Sequence, residues 1–89
     1  MKVIAIKCQA ELDLLPESFD EFTVVLIKST ERINISQNRK NSYIEVRENS
    51  RVNVYGDGRV VALEESQIRA WGNSRIEAYE DSQVEFWGD

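Results

Sequence analysis

Sixteen carboxylates, no histidine and one cysteine, Cys8, set the chemistry open to this 89-residue chain. Without histidine neither a Ser–His–Asp nor a Cys–His relay can be built. One cysteine alone leaves the usual zinc and thiolate sets unfilled. The run "YGDG", beginning at Tyr55, is too short for a phosphate-binding loop and lacks its lysine. Two carboxylates can serve as general acid and base, but no pair stands apart from the rest. The carboxylates instead recur at fixed spacing. Glu48, Asn49, Glu64, Glu65, Glu80 and Asp81 occupy two adjacent columns sixteen residues apart, and five of these six are acidic. A regular row of one sign of charge is a means of binding. The chain is therefore expected to be non-enzymatic, with no catalytic residue and no cofactor. A metal is not expected either, because the Gly-Gly-x-Gly-x-Asp spacing of calcium-binding repeats is absent.

The formal net charge of −5 is unevenly placed: residues 1–40 hold six basic and six acidic groups, and residues 41–89 hold five basic and ten acidic ones. An acidic half of this kind repels phosphate, so direct nucleic-acid binding is not expected, and a basic partner is. No apolar run approaches the roughly 20 residues that span a bilayer, so no membrane role is expected. The start, MKVIAIKCQAELDLL, is broken by Lys7, Gln9 and Glu11 and does not read as a signal peptide. With the lone cysteine, this points to a reducing, cytoplasmic setting.

The elements that position the carboxylates follow from a repeat. From Asn41 the sequence divides without gaps into NSYIEVRE, NSRVNVYG, DGRVVALE, ESQIRAWG, NSRIEAYE and DSQVEFWG, with Asp89 left over. The fourth position is always β-branched (Ile44, Val52, Val60, Ile68, Ile76, Val84), the sixth is apolar, and the second is Ser or Gly. Apolar and polar positions alternate, which is strand periodicity. The eighth and first positions supply corner residues. Each unit is thus one short strand and one corner.

The eighth position alternates Glu48, Gly56, Glu64, Gly72, Glu80, Gly88, so the full period is sixteen residues, two strands per coil. That period predicts a mainly β fold: a short, two-faced parallel β-solenoid whose coils stack about 4.8 Å apart. An antiparallel meander would produce the same eightfold unit but gives no reason for Gly and Glu to alternate between corners. Side chains at positions two, four and six are expected to form a thin core, with the corner serines bonded to corner backbone.

Residues 1–40 do not repeat and are read as an α/β cap of strands plus a short helix, with the solenoid at 41–89. Lys2–Lys7 and Phe22–Lys28 read as strands and Arg32–Ile35 as a degenerate rung, followed by a polar insertion, Gln37–Lys40. In "LPESFDEF" an early Pro16 and the acidic Glu17, Asp20 and Glu21 read as a helical turn. At the far end Phe86 and Trp87 are expected to close the last coil in a monomer; otherwise the exposed edge is expected to form an end-to-end homodimer.

Two surfaces follow. The corner column Glu48, Glu64, Glu65, Glu80 and Asp81, with Asp57, Glu85 and Asp89 as secondary charges, is the candidate partner-binding surface. Like charges about 5 Å apart cost on the order of 1 kcal/mol per pair in water, and asparagine would turn the corner as well. The other surface is the column Tyr55, Trp71, Trp87, read as a register-fixing stack or as a contact stripe carried by Trp71 and Trp87.

The units "NSRIEAYE" and "ESQIRAWG" resemble the short Ser-x-Val-x-Ala-aromatic-Gly repeats of β-solenoids in phage and bacterial proteins. In size, acidity and lack of catalytic groups the chain is also similar to small phage-encoded anti-CRISPR proteins. Acidic pentapeptide-repeat solenoids that imitate DNA before gyrase are a second analogue, but here the units have eight residues where theirs have five. The anti-CRISPR resemblance implies a DNA mimic that acts in the host cytoplasm. It would block target DNA or PAM binding on a basic nucleic-acid-binding host protein such as a Cas complex subunit. The repeat resemblance covers residues 41–89 and carries no function; the alternative expectation is a structural module of a phage or bacterial surface assembly, associating through its open end or aromatic stripe.

Overall fold

The computed structural model describes residues 1–36, 39–56 and 58–87. Among them the chain forms nine strands and one short helix, in the order β1 (Lys2–Ile6), α1 (Gln9–Asp13), β2 (Ser18–Ile27), β3 (Ile33–Ile35), β4 (Lys40–Val46), β5 (Arg51–Tyr55), β6 (Arg59–Ala62), β7 (Gln67–Trp71), β8 (Arg75–Ala78) and β9 (Gln83–Trp87). From β2 onward successive strands alternate between two sheets, and β1 pairs beside β2. One has the order β1-β2-β4-β6-β8 and the other β3-β5-β7-β9, and every pairing is parallel. This is the two-faced β-solenoid that the sixteen-residue period predicts.

The register carries the period. Ile44 pairs with Val60 and Val60 with Ile76; on the other face Val52 pairs with Ile68 and Ile68 with Val84, each sixteen residues on. The first coil differs, since Val25 pairs with Ile44 and Ile33 with Val52, nineteen residues on. The three extra residues fall between the strands, where a longer connection leaves side-chain facing unchanged.

Inward positions alternate with outward ones along each strand. Val52, Val54, Val60, Ala62, Ile68 and Ala70 are buried, and all but Ala70 join Ile6, Leu12, Val25, Ile27, Ile33, Ile35, Ile44 and Val46 in a continuous core. Burying a branched aliphatic side chain stabilises by about 1.5–3 kcal/mol, so this column of small residues is the main source of stability. The corner serines divide into two groups. Ser50 Oγ donates to the Ile27 carbonyl at 3.3 Å and accepts from the Ser29 N–H at 2.9 Å, while the Oγ atoms of Ser66 and Ser74 have no partner among the described residues.

At the N-terminal end α1 covers the edge of β3, while β1 is the outer strand of the other sheet. Leu12 is its one buried residue and joins the core. The Gln9 side chain accepts from the Asn34 N–H at 2.7 Å and donates to the Asn34 carbonyl at 2.9 Å, standing in for a neighbouring strand along the β3 edge. Arg39 lies buried beneath the helix and donates to the Leu12 carbonyl at 3.0 Å. Burial lowers its pKa, and Asp13 acts in the opposite direction.

Two expectations are corrected. The segment "LPESFDEF" is not helical: the helix lies earlier, at Gln9–Asp13, and β2 begins at Ser18. Pro16 disfavours helical geometry in the residue before it and so follows α1 instead of opening a helix. From Ser18 onward no Gly or Pro interrupts the run into FTVVLI, and extension lets the backbone pair with β4 at Ser18–Lys40 and again from Thr23–Ser42. Nor does Phe86 plug the last coil. It is 65% exposed and Trp87 48% exposed, while Ile76 and Val84 are only half-buried. Among the described residues no rung stacks on Phe86 and Trp87 from the outer side, so bulk alone does not bury them.

Candidate functional site

The corner that follows β4, β6 and β8 is the same turn made three times. The N–H groups of Ser50, Ser66 and Ser82 donate to the carbonyls of Arg47, Leu63 and Tyr79 at 3.2–3.3 Å, closing four-residue turns. The first central residue of each is a glutamate with left-handed φ: Glu48 at 60°, Glu64 at 60° and Glu80 at 59°. An L-residue other than Gly, Asn or Asp rarely adopts this region, at a cost of roughly 1–2 kcal/mol. The opposite corner makes the same demand at the same position of its unit and meets it with glycine, Gly56 at 86° and Gly72 at 84°. There glycine is also required by space, because a Cβ on Gly72 would lie 3.3 Å from the Gly56 nitrogen. Glutamate at the acidic corner is therefore held against backbone preference at three successive coils.

Coil stacking brings Glu48, Asn49, Glu64, Glu65, Glu80 and Asp81 to one shallow open groove. All are exposed except Glu64, which is half-buried. The charge along the groove is graded. At the N-terminal side Glu48 lies 3.9 Å from Lys28, and Glu64 accepts from Arg47 at 3.3 Å. Arg47 also donates to Glu45 at 3.2 Å, and its pKa is raised first by that hydrogen bond and further by Glu64. Glu65, Glu80 and Asp81 have no ion-pair partner among the described residues. Two of the corner's carboxylates are thus paired, and its unpaired charge gathers on the last two coils. Lys28 and Arg47 escaped the sequence reading because they reach the corner from the coil before, at separations of 20 and 17 residues that depend on loop length.

The other candidate residues are dispersed. Glu85 lies on β9, on the face beside Arg69 of β7, away from the groove. Asp57 and Asp89 lie outside the described residues. Trp71 and Trp87 belong to the ladder on the β5-β7-β9 face, where Tyr55 and Trp71 stack with centroids 4.8 Å apart and Trp71 and Trp87 at 6.4 Å. Tyr55 is 40% exposed, so the ladder is an apolar stripe open to solvent at both ends. On the opposite face Arg59 lies over the Tyr43 ring, 5.6 Å from its centroid, and 3.7 Å from Glu77.

No group of three or more His, Cys, Asp or Glu side chains able to hold a metal ion occurs among the described residues. No protein-family model matches the chain, and neither a curated protein nor a solved structure matches it. What the arrangement can do is fixed by its geometry: a row of carboxylates at rung spacing on a rigid edge, and a row of rings on one face.

Proposed function

We propose that the chain is a non-enzymatic inhibitor that lays its acidic corner into a basic nucleic-acid-binding surface of a host protein and excludes DNA by mimicking its charge. The observation carrying this reading is the left-handed glutamate repeated at Glu48, Glu64 and Glu80, opposite a corner that uses glycine for the same turn. Each substitution of glutamate for a residue that turns more readily lowers stability, and the charge is what is gained. Carboxylates rising about 4.8 Å per coil match in order of magnitude the roughly 3.4 Å axial rise between phosphates of one DNA strand. Because Glu65, Glu80 and Asp81 have no ion-pair partner among the described residues, the last two coils make the principal contact. By resemblance to small acidic anti-CRISPR proteins, the DNA- or PAM-binding surface of a Cas complex is the target class proposed, with the host cytoplasm as the place of action.

The test is a pull-down from bacterial lysate at low and high salt, with the wild-type chain and with a variant in which Glu64, Glu65, Glu80 and Asp81 are all lysine. The wild type should capture a basic nucleic-acid-binding protein at low salt, lose it steeply as salt rises, and compete with DNA for it. The quadruple variant should keep its fold and lose the partner. A triple reversal at Glu17, Asp20 and Glu21, at the other end of the strands, should keep it. Retention by the quadruple variant overturns the reading.

A second reading is supported by the solvent-open Tyr55–Trp71–Trp87 ladder. It makes the chain a structural module of a phage or bacterial surface assembly, associating through the aromatic stripe or its open end. Its signature is association that neither salt nor the quadruple reversal changes.

A further inference from the structure

We infer that the chain holds a monatomic anion of the size and charge of chloride in a cavity beside β4 and β6, with Arg39 on its buried side and Arg59 on its exposed side.

The cavity begins as a break in the repeat. The second position of the eight-residue unit is serine at Ser42, Ser50, Ser66, Ser74 and Ser82, and glycine only at Gly58. Backbone geometry does not demand that glycine. Its φ lies outside the left-handed region that holds Gly56 and Gly72, and an added Cβ would meet Val54 Cγ1 at 3.6 Å, an ordinary contact. What the missing side chain leaves is room. A cavity of about 10 Å³ is bordered by Val25, Arg39, Ser42, Tyr43, Gly58 and Arg59. That is space for one guest about the size of a water molecule.

The walls decide the charge of the guest. Arg39 is 9% exposed; it donates to the Leu12 carbonyl at 3.0 Å, but its Nε is buried with no acceptor among the described residues. A buried donor left unmatched is costly, and more so on a charged group. Arg59 brings a second guanidinium, held over the Tyr43 ring at 5.6 Å from its centroid. Arg75 lies beside Arg59 in register and has no ion pair among the described residues. Against these charges, Glu77 lies 3.7 Å from Arg59, and Asp13 favours the charged form of Arg39 without offsetting its burial. A water accepts from Nε but leaves the excess positive charge in place. An anion removes both deficits, and a space of one water admits a single atom and no tetrahedral oxyanion.

Chemical denaturation of the full chain at fixed ionic strength tests this, with chloride replacing gluconate stepwise from about 1 mM to about 1 M. The unfolding constant of the wild type should fall by about tenfold for each tenfold rise in chloride above the dissociation constant, because the ion binds only the folded chain. Arg39→Gln removes the buried charge and should abolish the response. Gly58→Ser fills the cavity from a position where the fold accommodates a Cβ, so it should abolish the response while keeping the fold, even if Arg39→Gln does not fold. Arg59→Gln should shift the response to higher chloride. General effects of salt on hydration are shared by wild type and variants, so the difference between them isolates the site. The chloride NMR line should broaden with the wild type and stay narrow with Gly58→Ser. Wild-type stability indifferent to chloride, which is the mark of a bound water, an equal response in Gly58→Ser, or a stronger response to inorganic phosphate than to chloride overturns the inference.

Discussion

At Glu80 two demands conflict at a single residue. The backbone turns through φ 59°, and the side chain carries a charge with no ion-pair partner among the described residues. Replacing it by glycine removes both the left-handed penalty and one repulsive neighbour, so Glu80→Gly should raise stability by about 1 kcal/mol in chemical denaturation while weakening partner capture. A gain in stability together with a loss of binding is what a residue kept for recognition produces. Across the molecule the same position has the opposite sensitivity. Gly72 sits at φ 84°, and an added Cβ would lie 3.3–3.4 Å from three backbone atoms of Gly56. Gly72→Ala should therefore destabilise by roughly 1–3 kcal/mol, read as a lower denaturation midpoint. The paired outcomes separate a corner shaped by sterics from a corner shaped by charge.

At the scale of elements, the helix α1 works as a lid for one sheet edge more than as part of the core. It buries a single residue, Leu12, and its decisive contact is the two-point bond from Gln9 to Asn34. Gln9→Ala should leave the strands intact, speed hydrogen exchange at the Asn34 amide and lower stability by about 1–2 kcal/mol. A mass-spectrometric exchange experiment checks both the site and the direction. Legibility in the sequence also divides by element. Strands β4 to β9 were readable because each repeats a small–β-branched–apolar alternation whose phase is fixed five times over. The acidic column at Glu48, Glu64 and Glu80 was readable for the same reason. Helix α1 was not, because five residues with one buried position carry too little periodicity, and Cys8 before it offers no side-chain cap. "LPESFDEF" misled because Pro16 and a cluster of acids mark a helix start only where the backbone has no sheet edge to join; here β4 supplies one. The ion pairs Lys28–Glu48 and Arg47–Glu64 were hidden, because sequence columns give what stacks within a rung position but not which long side chain crosses between coils.

For the whole molecule, charge and shape are polarised along different directions. Of the corner's carboxylates, those without an ion-pair partner among the described residues, Glu65, Glu80 and Asp81, lie on the last two coils, and the aromatic ladder lies on one face. The reversal at Glu64, Glu65, Glu80 and Asp81 leaves the rings of Tyr55, Trp71 and Trp87 untouched, so capture through the corner and association through the stripe are read by different variants.

The nineteen-residue step between the first two coils has a consequence for how such a chain can change. Three added residues at a bend leave every downstream side chain facing as before, whereas one residue added inside a strand would turn the rest of the protein inside out. Evolution can therefore lengthen bends but can extend the body only in quanta of a whole coil, sixteen residues in its regular part. Each such quantum would add one more tooth to the acidic comb and one more ring to the stripe. The length of the surface offered to a partner is, in this architecture, an integer.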